Sequence, residues 1–163
     1  MTGPLVRVAT REDLPRVLAL VDEGTVDRTV AAPDGGSTAS PGPRTLPVEP
    51  AHEAAFDAIE RDPNHVCLVL EIDGLVVGHV QVSFLPGLSR GGARRGQLET
   101  MRVAATHRGR GLGGLLVERA VELCRGRGCA LVQLTTDARR EAARRFYEAH
   151  GFAASHRGMK RPL

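Results

Sequence analysis

Apolar positions recur along this chain at two spacings. Over residues 5–9 apolar and polar side chains alternate, the period of a half-buried strand. Thr10 then stands as a helix cap ahead of Arg11-Glu12-Asp13 and the helical run Leu14, Val17, Leu18, Val21. Ala54, Ala55, Ala58 and Ile59 carry the same helical spacing in a second helix over residues 51–61, which stops before Asp62-Pro63. Residues 65–72 and 75–84 are rich in Val, Leu and Ile and are joined by Asp73-Gly74, a two-residue hairpin signal, so they read as antiparallel strands. Alternation returns over residues 97–104. A helix follows at 113–125 (Leu115, Leu116, Ala120, Leu123, Cys124), then a strand at 130–135 and a helix at 139–150 (Ala142, Ala143, Phe146, Tyr147). A short terminal strand is expected from Phe152 toward Lys160.

Between these segments the pattern dissolves twice. Residues 22–50 are crowded with Gly, Pro, Ser and Thr and read as one long loop, either a passive excursion or a lid over a substrate. Residues 86–96 form a glycine- and arginine-rich connection. The resulting order, β-α-α-β-β-β-α-β-α-β, predicts an α/β fold: a mixed, mainly antiparallel sheet flanked by helices, closed by a β-α-β crossover. A chain of 163 residues is expected to form one domain over 1–163.

Composition narrows the setting. Hydrophobic content of 42% and charged content of 25% are those of an ordinary globular protein, and with only 3% aromatics the core must be aliphatic. Cys67, Cys124 and Cys129 form no CxxC framework and no metal-ligand cluster, which suits a reducing compartment and predicts no metal. No long apolar run or signal-peptide pattern is present, so a cytoplasmic protein without membrane partners is expected. The net charge of +3 is spread among arginines interleaved with acidic residues, which argues against nucleic acid.

Chemistry concentrates at Arg108-Gly109-Arg110-Gly111-Leu112-Gly113-Gly114, between the 97–104 strand and the helix after it. A strand running through glycines into a helix start is an anion site, because the first-turn N–H groups lack partners and the helix dipole adds positive charge. The glycines permit close approach to the backbone, Arg108 and Arg110 can meet a pyrophosphate, and His107 can assist. The alternative is a tight turn with solvated arginines. Gly109-x-Gly111-x-x-Gly114 also spells the dinucleotide fingerprint, with Asp137 as ribose acid, but only one strand-helix-strand unit surrounds it where two are needed. A nucleotide P-loop is excluded by the absence of a Lys-Ser/Thr pair after the glycines.

Arg108, Gly111 and Gly113 satisfy the Arg/Gln-x-x-Gly-x-Gly/Ala signature, and the chain resembles the GNAT N-acetyltransferases there. Leu98-Glu99-Thr100-Met101-Arg102-Val103 resembles the strand before that signature, and Phe146-Tyr147-Glu148-Ala149-His150-Gly151-Phe152 resembles the family's late FYxxxGF element. The resemblance implies acetyl-CoA as co-substrate, held by Met101, Arg102, Val103, Arg108, Gly109, Arg110, Gly111, Leu112, Gly113, Gly114 and Ala143. It further implies main-chain groups of Met101 and Val103 that hold the pantetheine and polarise the acetyl carbonyl. Arg140 stands where the family often places asparagine, three residues before Ala143. Only residues 153–163 follow the late element, fewer than two generous closing strands need, so the acceptor side is expected to be open or completed by a partner chain in a homodimer.

Transfer of acetyl from sulfur to nitrogen needs a neutral amine, a polarised carbonyl and a proton for the leaving thiolate. The resemblance implies Glu99 as base and Tyr147, the chain's one tyrosine, as acid. Residue by residue, the alternatives are a surface glutamate on an alternating strand and an aromatic packed at the core edge. The arginine pairs Arg94-Arg95, Arg139-Arg140 and Arg144-Arg145 read as solvated, or as partners for a phosphate. His65 and His79 sit on strands and read as structural. The acceptor is expected to be a primary amine of a small molecule attacking directly in a ternary complex. Leu134-Thr135-Thr136-Asp137-Ala138-Arg139-Arg140, Arg145-Phe146-Tyr147 and Ser155-His156 resemble aminoalkylphosphonate N-acetyltransferases. The different reading is a non-catalytic domain that binds acyl-CoA as a sensor or scaffold.

Overall fold

The computed structural model describes residues 3–29 and 43–163. In chain order they form β1 (Leu5–Val8), α1 (Leu14–Thr29), α2 (Pro50–Arg61), β2 (His65–Ile72), β3 (Leu75–Leu85), β4 (Arg94–Val103), α3 (Leu112–Gly126), β5 (Cys129–Leu134) and α4 (Glu141–Ala149). The strands make one sheet in the order β1-β2-β3-β4-β5, antiparallel except for the parallel pair β4–β5. This is the mixed, mainly antiparallel sheet read from the sequence, and the crossover through α3 carries the glycine loop.

The hairpin between β2 and β3 turns at Asp73 (φ 48°) and Gly74 (φ 79°). Both are left-handed, as a two-residue turn matched to strand twist requires. Beyond it, alternate residues of β3 separate the two faces of the sheet. Val80, Val82 and Phe84 are fully buried on one face. There the guanidinium of Arg127, just past α3, lies 5.0 Å from the Phe84 ring centroid. The opposite face carries His79, Gln81 and Ser83, and Arg16 of α1 reaches β3 by donating from Nε to the Val76 carbonyl at 2.9 Å. Each large aliphatic or aromatic side chain sealed between sheet and helix contributes about 1.5–3 kcal/mol, and the helical spacings of α1 and α3 are what bring Leu14, Val17 and Leu20, or Leu116 and Ala120, to the sheet.

Gly96 shows how tightly α3 sits. A Cβ there would lie 2.3 Å from the Cys124 Sγ, so the helix packs directly on bare backbone of β4. At the far edge, Arg7 of β1 donates to Asp13 (2.7 and 2.9 Å) and to Glu71 of β2 (2.9 Å). Thr10 is the N-cap the sequence predicts and forms a capping box with Asp13, whose carboxylate accepts from the Thr10 N–H (2.7 Å) and hydroxyl (3.1 Å).

Four expectations are corrected. Helix α1 continues to Thr29, past the loop boundary placed at Asp22. The remainder of that loop, and with it the question of a lid, falls largely on residues 30–42, outside those described. Strand β4 begins at Arg94, because pairing with β5 recruits residues that read locally as loop. The strand expected after Phe152 does not form; residues 152–163 have no regular structure. Finally, the helix predicted to begin at 139 starts at Glu141, after a turn in which Asp137 accepts from the Arg139 side chain at 2.7 Å.

Candidate active site

The site is built where β4 and β5 part. Their ladder runs from Arg94 to Leu98, opposite Cys129 to Leu134, and β4 continues to Val103 paired with β3 alone. At the parting β4 also bulges. Gln81 pairs with Glu99 but His79 pairs with Arg102, so Thr100 and Met101 together face Val80. Thr100 takes a left-handed φ of 49°, unusual for a β-branched residue. A bulge of this kind frees peptide groups from the ladder and bends the strand. The result is a stretch of main chain, Glu99 to Val103, open on its β5 side.

The glycine loop lies immediately downstream. Gly109 (φ 73°) and Gly111 (φ 75°) take conformations that L side chains rarely adopt, and Gly111 is the N-cap of α3 with no side chain capping the helix. The first-turn N–H groups therefore face outward for an anion. Arg108 donates from Nε to the Val103 carbonyl at 3.1 Å, fastening the loop to the end of β4, while its side chain and that of Arg110 lie exposed beside the loop. Gly113 and Gly114 have a packing reason as well: a Cβ at Gly113 would meet the Phe146 ring at 3.2 Å, and at Gly114 the His150 ring at 2.8 Å. They are small so that α4 can pack on α3.

That packing carries Tyr147 to the parting. Its hydroxyl donates to the Met101 Sδ at 3.6 Å, and the ring is held edge-on by Phe146 (5.1 Å) and Phe152 (5.7 Å). Burial raises the phenol pKa above its ordinary value, against the opposing charges of Arg140 and Arg102. The phenol thus keeps its proton through the neutral range. Ala143, one turn earlier, is half-buried on the same side of α4. Glu99 lies exposed on β4, two residues before Met101. Arg102 bends back to donate from Nη1 to the Met101 carbonyl at 2.7 Å.

The structure therefore draws together Met101, Val103, Arg108, the glycine loop and Tyr147. The paired arginines of α4 bond to acidic neighbours on their own helix, Arg144 to Glu148 (3.0 Å) and Arg145 to Glu141 (3.5 Å). Among the described residues there is no group of three His, Cys, Asp or Glu that could hold a metal ion, and no helix is long and apolar enough to cross a membrane. The sequence reading missed Phe146 as the partner of Gly113 and the hydrogen bond from Gln133 Nε2 to Gln97 Oε1 (2.8 Å) that closes the paired part of β4 and β5. It also missed the contact of His79 with Thr100; a histidine amid valines was its only signal. A dinucleotide site would need two parallel halves, and this sheet has one parallel pair.

Known proteins agree with this geometry. The model of the acetyltransferase (GNAT) family matches residues 38–152. A glucosamine 6-phosphate N-acetyltransferase of Trypanosoma brucei brucei is 36% identical over 90 residues, spanning 55% of this chain and 59% of that enzyme. Among solved structures, a transcriptional regulator from Bacillus halodurans superposes with a TM-score of 0.83 at 35% identity, over 99% of this chain and 100% of its own. An acetyltransferase from Trypanosoma brucei superposes with a TM-score of 0.75 at 28% identity, over 99% and 100%. With the family model spanning most of the sequence and a structural relative 35% identical over nearly all of it, the chain belongs to the GNAT acetyltransferases.

Proposed function

We propose that residues 1–163 act as one unit, an acetyl-CoA-dependent N-acetyltransferase that acetylates a primary amine of a small molecule by direct attack in a ternary complex. The observation that carries this reading is the meeting of Tyr147 with Met101 at the open stretch of β4, one loop away from the uncapped start of α3. Acetyl-CoA, when bound, supplies the acyl thioester. The loop fits it: Gly109 and Gly111 open the backbone toward a pyrophosphate, the α3 dipole favours its charge, and Arg108, Arg110, Leu112, Gly113 and Gly114 complete the cradle. Met101, Arg102 and Val103 offer main chain to the pantetheine and the acetyl carbonyl, with Ala143 against the same arm.

A lysine-like amine with a pKa near ~10.4 is almost wholly protonated at neutral pH, so one proton must leave before attack. Glu99, exposed on the same strand, receives it through water. Main-chain donors at the bulge stabilise charge on the carbonyl oxygen as the carbon–nitrogen bond forms. Tyr147 gives its proton to the sulfur as the carbon–sulfur bond breaks, and its phenolate is restored by the proton the nitrogen sheds as the amide forms. Its hydroxyl is already turned toward a sulfur atom, that of Met101.

The acceptor to test first is glucosamine 6-phosphate, because an enzyme named for it is the 36% identical relative. An aminoalkylphosphonate shares its chemistry, a primary amine beside a phosphorus oxyanion. Three free thiols, Cys67, Cys124 and Cys129, suit a reducing cytoplasmic setting. The test is release of free CoA thiol, with mass-spectrometric detection of the acetylated product, across a panel containing both acceptors. The second reading, an acyl-CoA sensor, draws on the full-length relative described as a transcriptional regulator. Saturable acetyl-CoA binding without acetylation of any amine in the panel selects it.

A further inference from the structure

His79 lies within β3, 3% exposed, between Gly78 and the fully buried Val80. A buried imidazole must satisfy both nitrogens. Nδ1 lies 3.2 Å from the Leu68 carbonyl, which can only accept, so Nδ1 carries the proton. In the neutral ring Nε2 can then only accept, and the group it meets is the Thr100 hydroxyl at 3.3 Å. Burial, with the nearby charge of Arg102, pushes the imidazole pKa down to about 4, so this tautomer persists at neutral pH. Leu68 belongs to β2, His79 to β3 and Thr100 to β4, and the hydrogen bonds therefore cross three strands.

The residue at the end of that chain is the strained one. Thr100 is β-branched, sits at φ 49°, and forms the bulge with Met101. Strained backbone persists only where its surroundings over-determine it. Nothing in the local sequence Glu99-Thr100-Met101 favours a left-handed residue; the side-chain anchor does.

We propose that His79 is a positioning residue for acetyl transfer: by accepting from the Thr100 hydroxyl it clamps the β4 bulge and holds the Met101 main chain in place for the thioester carbonyl. This rests on the acetyltransferase reading above. Its distinguishing consequence is that a residue content at φ 49° needs no clamp. Glycine is such a residue.

The experiment compares wild type with His79→Phe, Thr100→Val, Thr100→Ser and the double variant His79→Phe/Thr100→Gly. Two readouts are taken: steady-state acetyl transfer, and amide hydrogen exchange of the peptide spanning 98–103 without ligand. His79→Phe and Thr100→Val are expected to lower kcat about 10- to 100-fold, with acetyl-CoA affinity falling less, since small misplacements of a reacting group cost rate of this order. Both should speed exchange at the bulge. Thr100→Ser, which keeps the hydroxyl, should exchange and turn over far closer to wild type than Thr100→Val does. The double variant should recover most of the lost kcat and slow exchange again. A double variant as impaired as His79→Phe overturns the proposal, as does Thr100→Val behaving like wild type. Should His79→Phe fail to fold, the Thr100→Val and Thr100→Ser pair decides. If wild type transfers no acetyl group, the functional reading fails while hydrogen exchange still tests the clamp.

Discussion

The two halves of β4 are built to opposite rules. From Arg95 to Leu98 the strand is paired on both sides, and α3 presses so closely that Gly96 admits no side chain. From Glu99 to Val103 it is paired on one side, bulged at a left-handed threonine, and faced by the hydroxyl of Tyr147. One strand thus contains a region where packing decides every choice and a region where packing is withheld. Open main chain is obtained by interrupting a ladder whose first half is paired on both sides.

Substitutions in the two halves should separate chemistry from stability. The largest effect is expected in the open half: Tyr147→Phe should lower kcat about 100-fold or more by removing the general acid, with acetyl-CoA affinity and melting temperature nearly unchanged. Steady-state kinetics and calorimetry check this, and equal losses in binding and turnover would undo the assignment of Tyr147. In the paired half, Gly96→Ala should cost about 2–3 kcal/mol through overpacking against Cys124, with turnover per folded molecule retained. Denaturant unfolding measures it, and Cys124→Ala should recover part of the loss.

A smaller effect is expected where the two halves meet the loop. Gly111→Ala must place a side chain at φ 75°, costing about 1 kcal/mol, and should weaken acetyl-CoA binding more than it slows the chemical step. At the far edge of the sheet, away from β4, lies the control. Burial raises the Asp13 carboxyl, but hydrogen bonds from Arg7 and the Thr10 backbone outweigh it and hold the pKa below the ordinary value. A carboxylate lowered in the folded state adds stability that is present above the unfolded pKa near ~3.9 and is lost as pH falls through the folded value. Asp13→Asn should therefore cost about 1.5–3 kcal/mol at pH 7, with the difference from wild type closing as pH falls below about 4 and acetyl-CoA binding at pH 7 unaffected.

The same contrast explains what could be read from the sequence. The paired sheet was legible because its signals are local: the Val-, Leu- and Ile-rich runs of β2 and β3, the Asp73-Gly74 turn, the helical stripe of α3. The glycine loop was legible because Gly109 and Gly111 need their backbone conformation whatever surrounds them. The packing role of Gly113 and Gly114 was not legible, since the rings of Phe146 and His150 come from a segment distant in sequence. The start of β4 at Arg94 depends on parallel pairing with β5, which leaves no trace in Gly-Ala-Arg-Arg-Gly. The bulge at Thr100 contradicts local preference, and the side chain its hydroxyl meets, His79, lies one strand away. The expected closing strand finds no ladder to join: residues 152–163 have no regular structure.

Calorimetric titration of the purified protein with acetyl-CoA, and separately with NADH, tests the central claim most directly. One-site, saturable binding of acetyl-CoA, weakened in Arg108→Ala and absent for NADH, is the expected result. Failure to bind acetyl-CoA, or binding of NADH alone, would contradict the assignment of the parted strands and the glycine loop as an acetyl-CoA site.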